Sequence, residues 1–159
     1  MAWGLIVEEG GLGKATGGLK YAGQGGSHCA TMAIKLQTLL GQLAQITAQL
    51  REVMEMEPTQ VVMDSCILRF ELAYEVLWKT LQAHATWQGK FVQSPRESFK
   101  HVYQCGFIQD WGAAESMISD RNLLTHSYDL EAARRVHARL TGYLEFIQGI
   151  LSALQNEAI

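Results

Sequence analysis

The sequence predicts an all-α protein, an antiparallel four-helix up-and-down bundle with one short extra helix. Three observations indicate this fold class. Apolar residues recur at spacings of three, four and seven, helix-capping signals stand at several junctions, and strand patterns are almost absent. Because 159 residues suffice to bury one hydrophobic core, we expect the helices to pack as one bundle domain.

Composition and charge exclude several classes of protein. Hydrophobic residues make up 48% of the chain and charged residues 18%, and the net charge is −3, which does not fit a generally basic nucleic-acid binder. No apolar run approaches the ~20 residues that span a bilayer, and no basic segment followed by an apolar one marks a secretory signal. The three cysteines lack CxxC spacing, as is usual for reduced thiols. We therefore expect a cytoplasmic protein that contacts no membrane.

A glycine-rich leader, residues 1–30, precedes the bundle domain, residues 31–159. Nine of the fifteen glycines fall in the first 26 positions, where they raise the entropic cost of ordering the chain. The fragment "GLGK" is not a phosphate-binding loop, because Glu8 replaces the first glycine of that motif and Ala15 replaces the Ser/Thr after the lysine. We expect a flexible tail, or a start codon assigned too far upstream.

The first two helices form the longest part of the predicted bundle. The first runs from about residue 31 to 55. Pro58 fits the first turn of the second helix, on which Glu75 and Lys79 form a favourable i, i+4 pair. Gly89 ends that helix. The second helix carries the apolar residues Val61, Val62, Ile67, Leu68, Phe70, Ala73, Val76, Leu77 and Leu81.

Capping signals define the remaining helices. In "SPRE", Ser94 is the N-cap of a short helix and Glu97 completes a capping box, and Gly106 ends that helix. Asp110 caps a fourth helix that extends through "WGAAESMISDRNLLT". Asp129 caps a fifth and last helix, whose expected buried stripe is Leu130, Val136, Leu140, Leu144, Ile147, Leu151 and Leu154.

A polar cluster, "SDRNLLTHSYD" at residues 119–129, stands at the junction of the last two predicted helices. Together with "RFELAYEVLWKTL" and "SPRESFKHVYQCGFI", it resembles the nucleotidyltransferase substrate-binding or HepT-like proteins of the HEPN superfamily. The resemblance covers roughly residues 31–155. Its most specific part is an Arg-x4-His-x-Tyr pattern, which Arg121, His126 and Tyr128 match, with Asn122 after the arginine.

The resemblance implies a HEPN-like bundle that forms a homodimer, with the two motif copies facing one cleft. It also implies a minimal nucleotidyltransferase as partner, often as the antitoxin of a toxin–antitoxin pair. In such pairs the HEPN protein is a metal-independent ribonuclease, with Arg121, Asn122 and His126 here as catalytic residues. The partner silences it by attaching AMP to the motif tyrosine, here Tyr128.

Elementary chemistry is compatible with this implied activity but adds a geometric difficulty. Histidine transfers protons near neutral pH, and arginine binds phosphate bidentately. On an ideal helix, however, Arg121 and His126 lie ~140° apart at ~100° per residue. Either the helix ends near Thr125, or a dimer interface completes the site.

A purely structural interpretation of the motif stays open. Arg121 could pair with Glu115 or with an acid on a neighbouring helix, and the helix macrodipole favours His126 at a C-terminus whether or not it reacts. Asn122 would then be a surface residue, and Tyr128 would pack under the junction.

Two further residues, Arg96 and Lys100, share a face of the short helix and could contact phosphate or RNA, although a solvated face is the simpler explanation. His101 and Cys105 have i, i+4 spacing but no further ligands nearby in sequence, so we expect no metal site and no cofactor. Two function classes remain open: a ribonuclease, and a non-catalytic subunit that presents substrate, or its own tyrosine, to a nucleotidyltransferase.

Overall fold

The computed structural model describes residues 26–126 and 129–157, and these form six helices. They are α1 (Gly26–Met54), α2 (Gln60–Trp87), α3 (Pro95–Gln104), α4 (Trp111–His126), α5 (Leu130–His137) and α6 (Leu140–Asn156). No strand occurs in this part of the chain, so the prediction of an all-α helical bundle is confirmed. None of the helices described is both long enough and apolar enough to cross a membrane.

Two long helices, α1 and α2, form an antiparallel pair to which the other helices attach. α6 packs along α1, α3 and α5 pack on α2, and α4 contacts α3, α5 and α6. The largest buried side chains come from α1, α2, α3, α4 and α6 and include Phe70, Tyr74 and Phe99. Phe70 stacks on Tyr143 with ring centroids 5.3 Å apart, which joins α2 to α6 through one aromatic contact.

Several predicted helix ends are confirmed. The Ser94 hydroxyl accepts the backbone N–H of Glu97 at 3.2 Å, and the Glu97 carboxylate accepts the N–H of Gln93 at 2.8 Å. This differs slightly from the expected capping box, in which the carboxylate would bind the N–H of the cap residue itself. Gly89 and Gly106 have φ values of 76° and 82°, the left-handed conformation in which glycine ends a helix at little steric cost.

Other predicted boundaries were wrong. Pro58 lies before α2 rather than in its first turn, because Thr59 is the N-cap and accepts the N–H of Val62 at 3.3 Å. α1 begins at Gly26, earlier than the expected residue 31. Residues 1–25, which make up most of the predicted leader, lie outside the described residues.

The last predicted helix is two helices, α5 and α6. Its hydrogen-bond pattern changes at Ala138 and Arg139, where the N–H of Arg139 binds the carbonyl of Val136, three residues back, at 2.9 Å. Val136 and Leu140, on either side of this turn, are both fully buried, whereas Leu130 is 47% exposed and does not belong to the buried stripe. In α2, Val61 and Leu68 are likewise exposed rather than buried.

Candidate functional site

The polar cluster lies at the end of α4, as the sequence predicts. Asp110 caps the start of this helix by accepting the N–H of Ala113 at 3.1 Å, and the helix ends at His126. Asp129 then caps α5 by accepting the N–H of Glu131 at 2.9 Å. The prediction for Tyr128 lies outside the described residues, and of His126 only its place as the last residue of α4 is described.

Arg121 is held by an ion pair to Glu75 of α2. Its guanidinium Nη2 donates to Glu75 Oε1 at 2.7 Å, and both side chains are about one-third exposed. The guanidinium carbon also lies 5.7 Å from the centre of the Tyr74 ring. Arg121 Nε is buried and has no hydrogen-bond partner among the described residues. Arg121 therefore pairs with an acid on a neighbouring helix, Glu75 of α2, and not with Glu115.

Glu75 is a shared acceptor on α2. Its Oε2 accepts the indole N–H of Trp78 at 2.9 Å and lies 3.9 Å from Lys79 Nζ, so the predicted i, i+4 pair is present but long. Beneath this group, burial raises the pKa of Tyr74 to about 12, with Arg121 lowering it and Glu75 raising it by smaller amounts. Tyr74 therefore stays a neutral phenol at physiological pH and supports Arg121 by its ring face.

The residue before the motif arginine, Asp120, forms a second attachment, which the sequence did not indicate. Asp120 is only 7% exposed. Its carboxylate accepts two hydrogen bonds from Arg139 Nη1, at 3.0 and 3.1 Å, and one from the Tyr143 hydroxyl at 2.5 Å. Burial and its own hydrogen bond to Asp120 raise the pKa of Tyr143 to about 12, while Arg139 lowers it by a smaller amount, so the hydroxyl remains a donor. Arg121 and Asp120 thus fix α4 to α2 on one side and to α6 on the other.

Of the predicted catalytic residues, the structure places Arg121 and Asn122 together at one end of α4. Asn122 follows Arg121 on this helix and its side chain is exposed. Because α4 continues to His126, the ~140° separation between positions 121 and 126 on an ideal helix remains. α4 thus ends one residue beyond the expected end near Thr125, and both positions lie on this helix.

The two possible phosphate contacts on α3 differ from each other. Arg96 is exposed and bonds to Glu115 of α4, and its guanidinium lies 5.8 Å from the Trp111 ring centre, so on a solvated face it joins α3 to α4. Lys100 is exposed and lines an open pocket between the end of α2 and α3. Neither residue contacts the motif in the described part of the chain.

A buried polar group around His84, at the C-terminal end of α2, was also not predicted from the sequence. His84 is fully buried, and its Nε2 lies 2.6 Å from Glu157 Oε2. Its ring lies 5.4 Å from that of His101, which in turn lies within 4.0 Å of Cys105 Sγ. Within the described ranges, no group of three or more His, Cys, Asp or Glu side chains is arranged to hold a metal ion.

Comparison with known proteins identifies the family. The family described as nucleotidyltransferase substrate binding protein like matches residues 35–156, which contain all six helices except the start of α1. The chain belongs to this family. The prediction from the three sequence blocks is therefore confirmed at the level of the family.

This nucleotidyltransferase substrate-binding-like protein is similar to a solved structure, the crystal structure of a protein from Thermus thermophilus. The two chains are 30% identical, the match covers 72% of this chain and 99% of the other, and the TM-score is 0.67. No curated protein matches this chain significantly.

Proposed function

We propose that this protein acts with a nucleotidyltransferase and is a metal-independent ribonuclease that the nucleotidyltransferase silences by attaching AMP to Tyr128. One observation carries the proposal: Arg121, held by Glu75, directly precedes the exposed Asn122 on α4. The chain belongs to this family, and α4 ends at the motif histidine, His126. An arginine that the fold holds in a partly exposed position is suited to bind a phosphate group.

Arg121 supplies the phosphate contact. A guanidinium has five N–H donors, and the hydrogen bond to Glu75 uses one of them. An RNA phosphate can displace Glu75 or bind beside it, and the face of Tyr74 supports the guanidinium in either position. The same cation then stabilises the charge that develops on the pentacoordinate phosphorus.

The reaction is an internal transfer on RNA. A base removes the proton of the ribose 2′-hydroxyl, and the 2′-oxygen attacks the adjacent phosphorus. The bond from phosphorus to the 5′-oxygen of the next nucleotide breaks as an acid protonates that oxygen. His126 is the residue proposed for proton transfer, and the products are a 2′,3′-cyclic phosphate and a 5′-hydroxyl.

RNA cleavage by the purified protein in the presence of EDTA tests this activity. We expect fragments that end in a 2′,3′-cyclic phosphate, with rates lowered by roughly 10²-fold or more in His126→Ala and Arg121→Ala. Lys35→Gln, an exposed change on α1, is the matched control and should cleave as the wild type does. Full activity in both motif variants, or strict dependence on a divalent ion, contradicts the mechanism.

Silencing acts through Tyr128. Its phenol oxygen attacks the α-phosphorus of ATP, the phenol proton leaves, and pyrophosphate departs. The attached AMP carries a phosphodiester charge, which would compete with an RNA phosphate for Arg121. Incubation with ATP and the partner nucleotidyltransferase should add the mass of AMP to the peptide that contains Tyr128. Tyr128→Phe should remain unmodified and keep its toxicity, and a Phe variant that is still modified and neutralised excludes this switch.

A non-catalytic substrate-binding subunit is the second candidate, and the ion pair between Arg121 and Glu75 favours it. An arginine paired within the fold can be a structural residue that holds α4 in place. In this case, wild type and His126→Ala would be equally harmless when expressed in a bacterial host. Growth arrest by the wild type that His126→Ala relieves distinguishes the ribonuclease from the subunit.

A further inference from the structure

An open pocket lies where the loop after α2 meets α3, away from the motif. Its volume is about 410 Å³, and its lining includes Lys90, Phe91, Lys100, His101 and Gln104. Pockets that hold small ligands have volumes of about 300–1,000 Å³. Gln88, which follows α2, is thirteen residues beyond Glu75, so at ~1.5 Å per residue the pocket lies about 20 Å along α2 from the contact with Arg121.

The charge of this pocket favours an anion. Lys90 and Lys100 are exposed, and neither forms an ion pair with a described residue. The acidic side chain in the lining, Glu97, already accepts the N–H of Gln93 at 2.8 Å. Two lysines and one carboxylate in the lining leave it with a net positive charge.

A large aromatic side chain stands at the same pocket with almost no protein contact. Phe91 is 82% exposed, although the loop that carries it is fixed on both sides. Lys90 N–H donates to the carbonyl of Ala85 at 2.8 Å, and Gln82 Nε2 donates to the carbonyl of Val92 at 3.0 Å. An anchored loop that holds an uncovered ring next to two cations combines the two features that bind a nucleotide, a stacking surface and phosphate contacts.

The floor of the pocket is polar and rigid. His101 is 3% exposed, and its ring packs against that of the fully buried His84. Burial lowers the pKa of His101, and His84 and Lys90 lower it further. A neutral imidazole offers one donor and one acceptor, and the amide of Gln104 offers both kinds of group. Such a floor can bind the hydroxyl groups of a ribose.

We propose that this pocket binds a nucleoside monophosphate group, with the base on Phe91 and the phosphate between Lys90 and Lys100. The same chemistry is presented by a free nucleotide and by the 5′-terminal nucleotide of an RNA strand. The site is separate from Arg121 and does not depend on RNA cleavage or on the modification of Tyr128.

Calorimetric titration of the full chain tests the site with AMP, UMP, ribose 5-phosphate and a 5′-phosphorylated RNA tetranucleotide, whose 5′-bridging oxygens are replaced by methylene groups so that it cannot be cleaved. We expect the mononucleotides to bind about tenfold more tightly than ribose 5-phosphate, which lacks the base. Lys90→Gln and Lys100→Gln should each weaken nucleotide binding by about tenfold through the loss of a charge-assisted contact. Phe91→Leu should weaken nucleotide binding and leave ribose 5-phosphate binding unchanged.

The controls separate this site from the motif. Lys35→Gln removes an exposed lysine from α1 and should bind nucleotides as the wild type does. Arg121→Ala removes the phosphate contact of the motif and should keep the binding that Lys100→Gln weakens. The site is excluded if no probe binds, if Lys100→Gln binds normally, or if Arg121→Ala abolishes binding. If the tetranucleotide binds more tightly than the mononucleotides and Lys100→Gln weakens it, the ligand is an RNA end. Equal or weaker binding of the tetranucleotide assigns the pocket to a free nucleotide.

Discussion

Arg121 and Glu75 form a contact that both stabilises the fold and limits what the motif can bind. The pair joins residues 46 positions apart and is about one-third exposed on each side. A pair of this kind is weaker than a buried one, but breaking it removes the carboxylate partner of a partly buried guanidinium whose Nε already lacks a partner among the described residues.

Glu75→Gln should therefore change stability and binding in opposite directions. We expect a loss of about 1–2 kcal/mol in the free energy of unfolding, measured by thermal denaturation. We also expect tighter binding of a non-cleavable oligonucleotide at Arg121, because the competing carboxylate is gone. Glu71→Gln, one helical turn earlier and also partly buried, is the control. Unchanged affinity in Glu75→Gln would show that an anion does not compete with Glu75.

His101 should make stability depend on pH. Its pKa is lowered below the ordinary value of 6.5 by burial, by His84 and by Lys90, with Glu157 opposing them. The unfolded chain therefore takes up this proton at higher pH than the folded chain does. The contribution is complete above about pH 7.5 and is lost as the pH falls through about 6.5 toward the pKa of the folded state.

His101→Gln should make the free energy of unfolding depend less on pH below about pH 7.5. The measurement is the free energy of unfolding by urea at pH values from about 5 to 8. His137→Gln, on α5, is the matched control and should keep the slope. An identical slope in His101→Gln and in the wild type would assign the pH dependence to another group.

At the scale of the helices, local signals predicted the starts of α3, α4 and α5, because a cap is a contact within three residues. Ser94, Asp110 and Asp129 each accept such a bond. The break between α5 and α6 could not be predicted, because Ala138 and Arg139 are good helix formers and the apolar spacing from Val136 to Leu140 continues through the turn.

The hydrogen-bond partners of Asp120 could not be predicted from the sequence either, because they lie 19 and 23 positions away in the chain.

The attachment of α4 to α6 through Asp120 should contribute strongly to stability. Asp120→Ala leaves the Tyr143 hydroxyl buried without an acceptor, and we expect a loss of about 2–4 kcal/mol. At about 2–4 °C per kcal/mol for a chain of this size, differential scanning calorimetry should show a melting temperature lower by about 5–15 °C. Tyr143→Phe should cost about 1 kcal/mol, and Ser119→Ala, which is exposed, should cost almost nothing. Equal melting temperatures for Asp120→Ala and Ser119→Ala would contradict this role.

At the scale of the whole molecule, the separation of positions 121 and 126 on one helix favours a site shared by two chains. We expect a symmetric homodimer in which both segments from residue 120 to 128 surround one cleft. Leu123 lies within this segment and is 37% exposed, so we expect it to supply apolar surface to the interface.

Light scattering at micromolar concentration should give twice the mass of one chain. Leu123→Glu should weaken the dimer by at least about tenfold, because a carboxylate would be buried at the interface. Ile34→Glu, an exposed position on α1, should leave the dimer intact. A monomeric wild type, or a dimer whose motif segments lie on opposite outer faces, would exclude this assembly.

The two adjacent attachments of α4 have a consequence for the speed of binding. Since Asp120 is bound to α6 and Arg121 to α2, a rotation of α4 that exposes Arg121 would break the Asp120 bonds as well. The easier movement is a change of the Arg121 side-chain rotamer, which takes picoseconds to nanoseconds in partly exposed residues. Binding of an anion at the motif therefore does not require a movement of α4. Its association rate should be set by diffusion and charge.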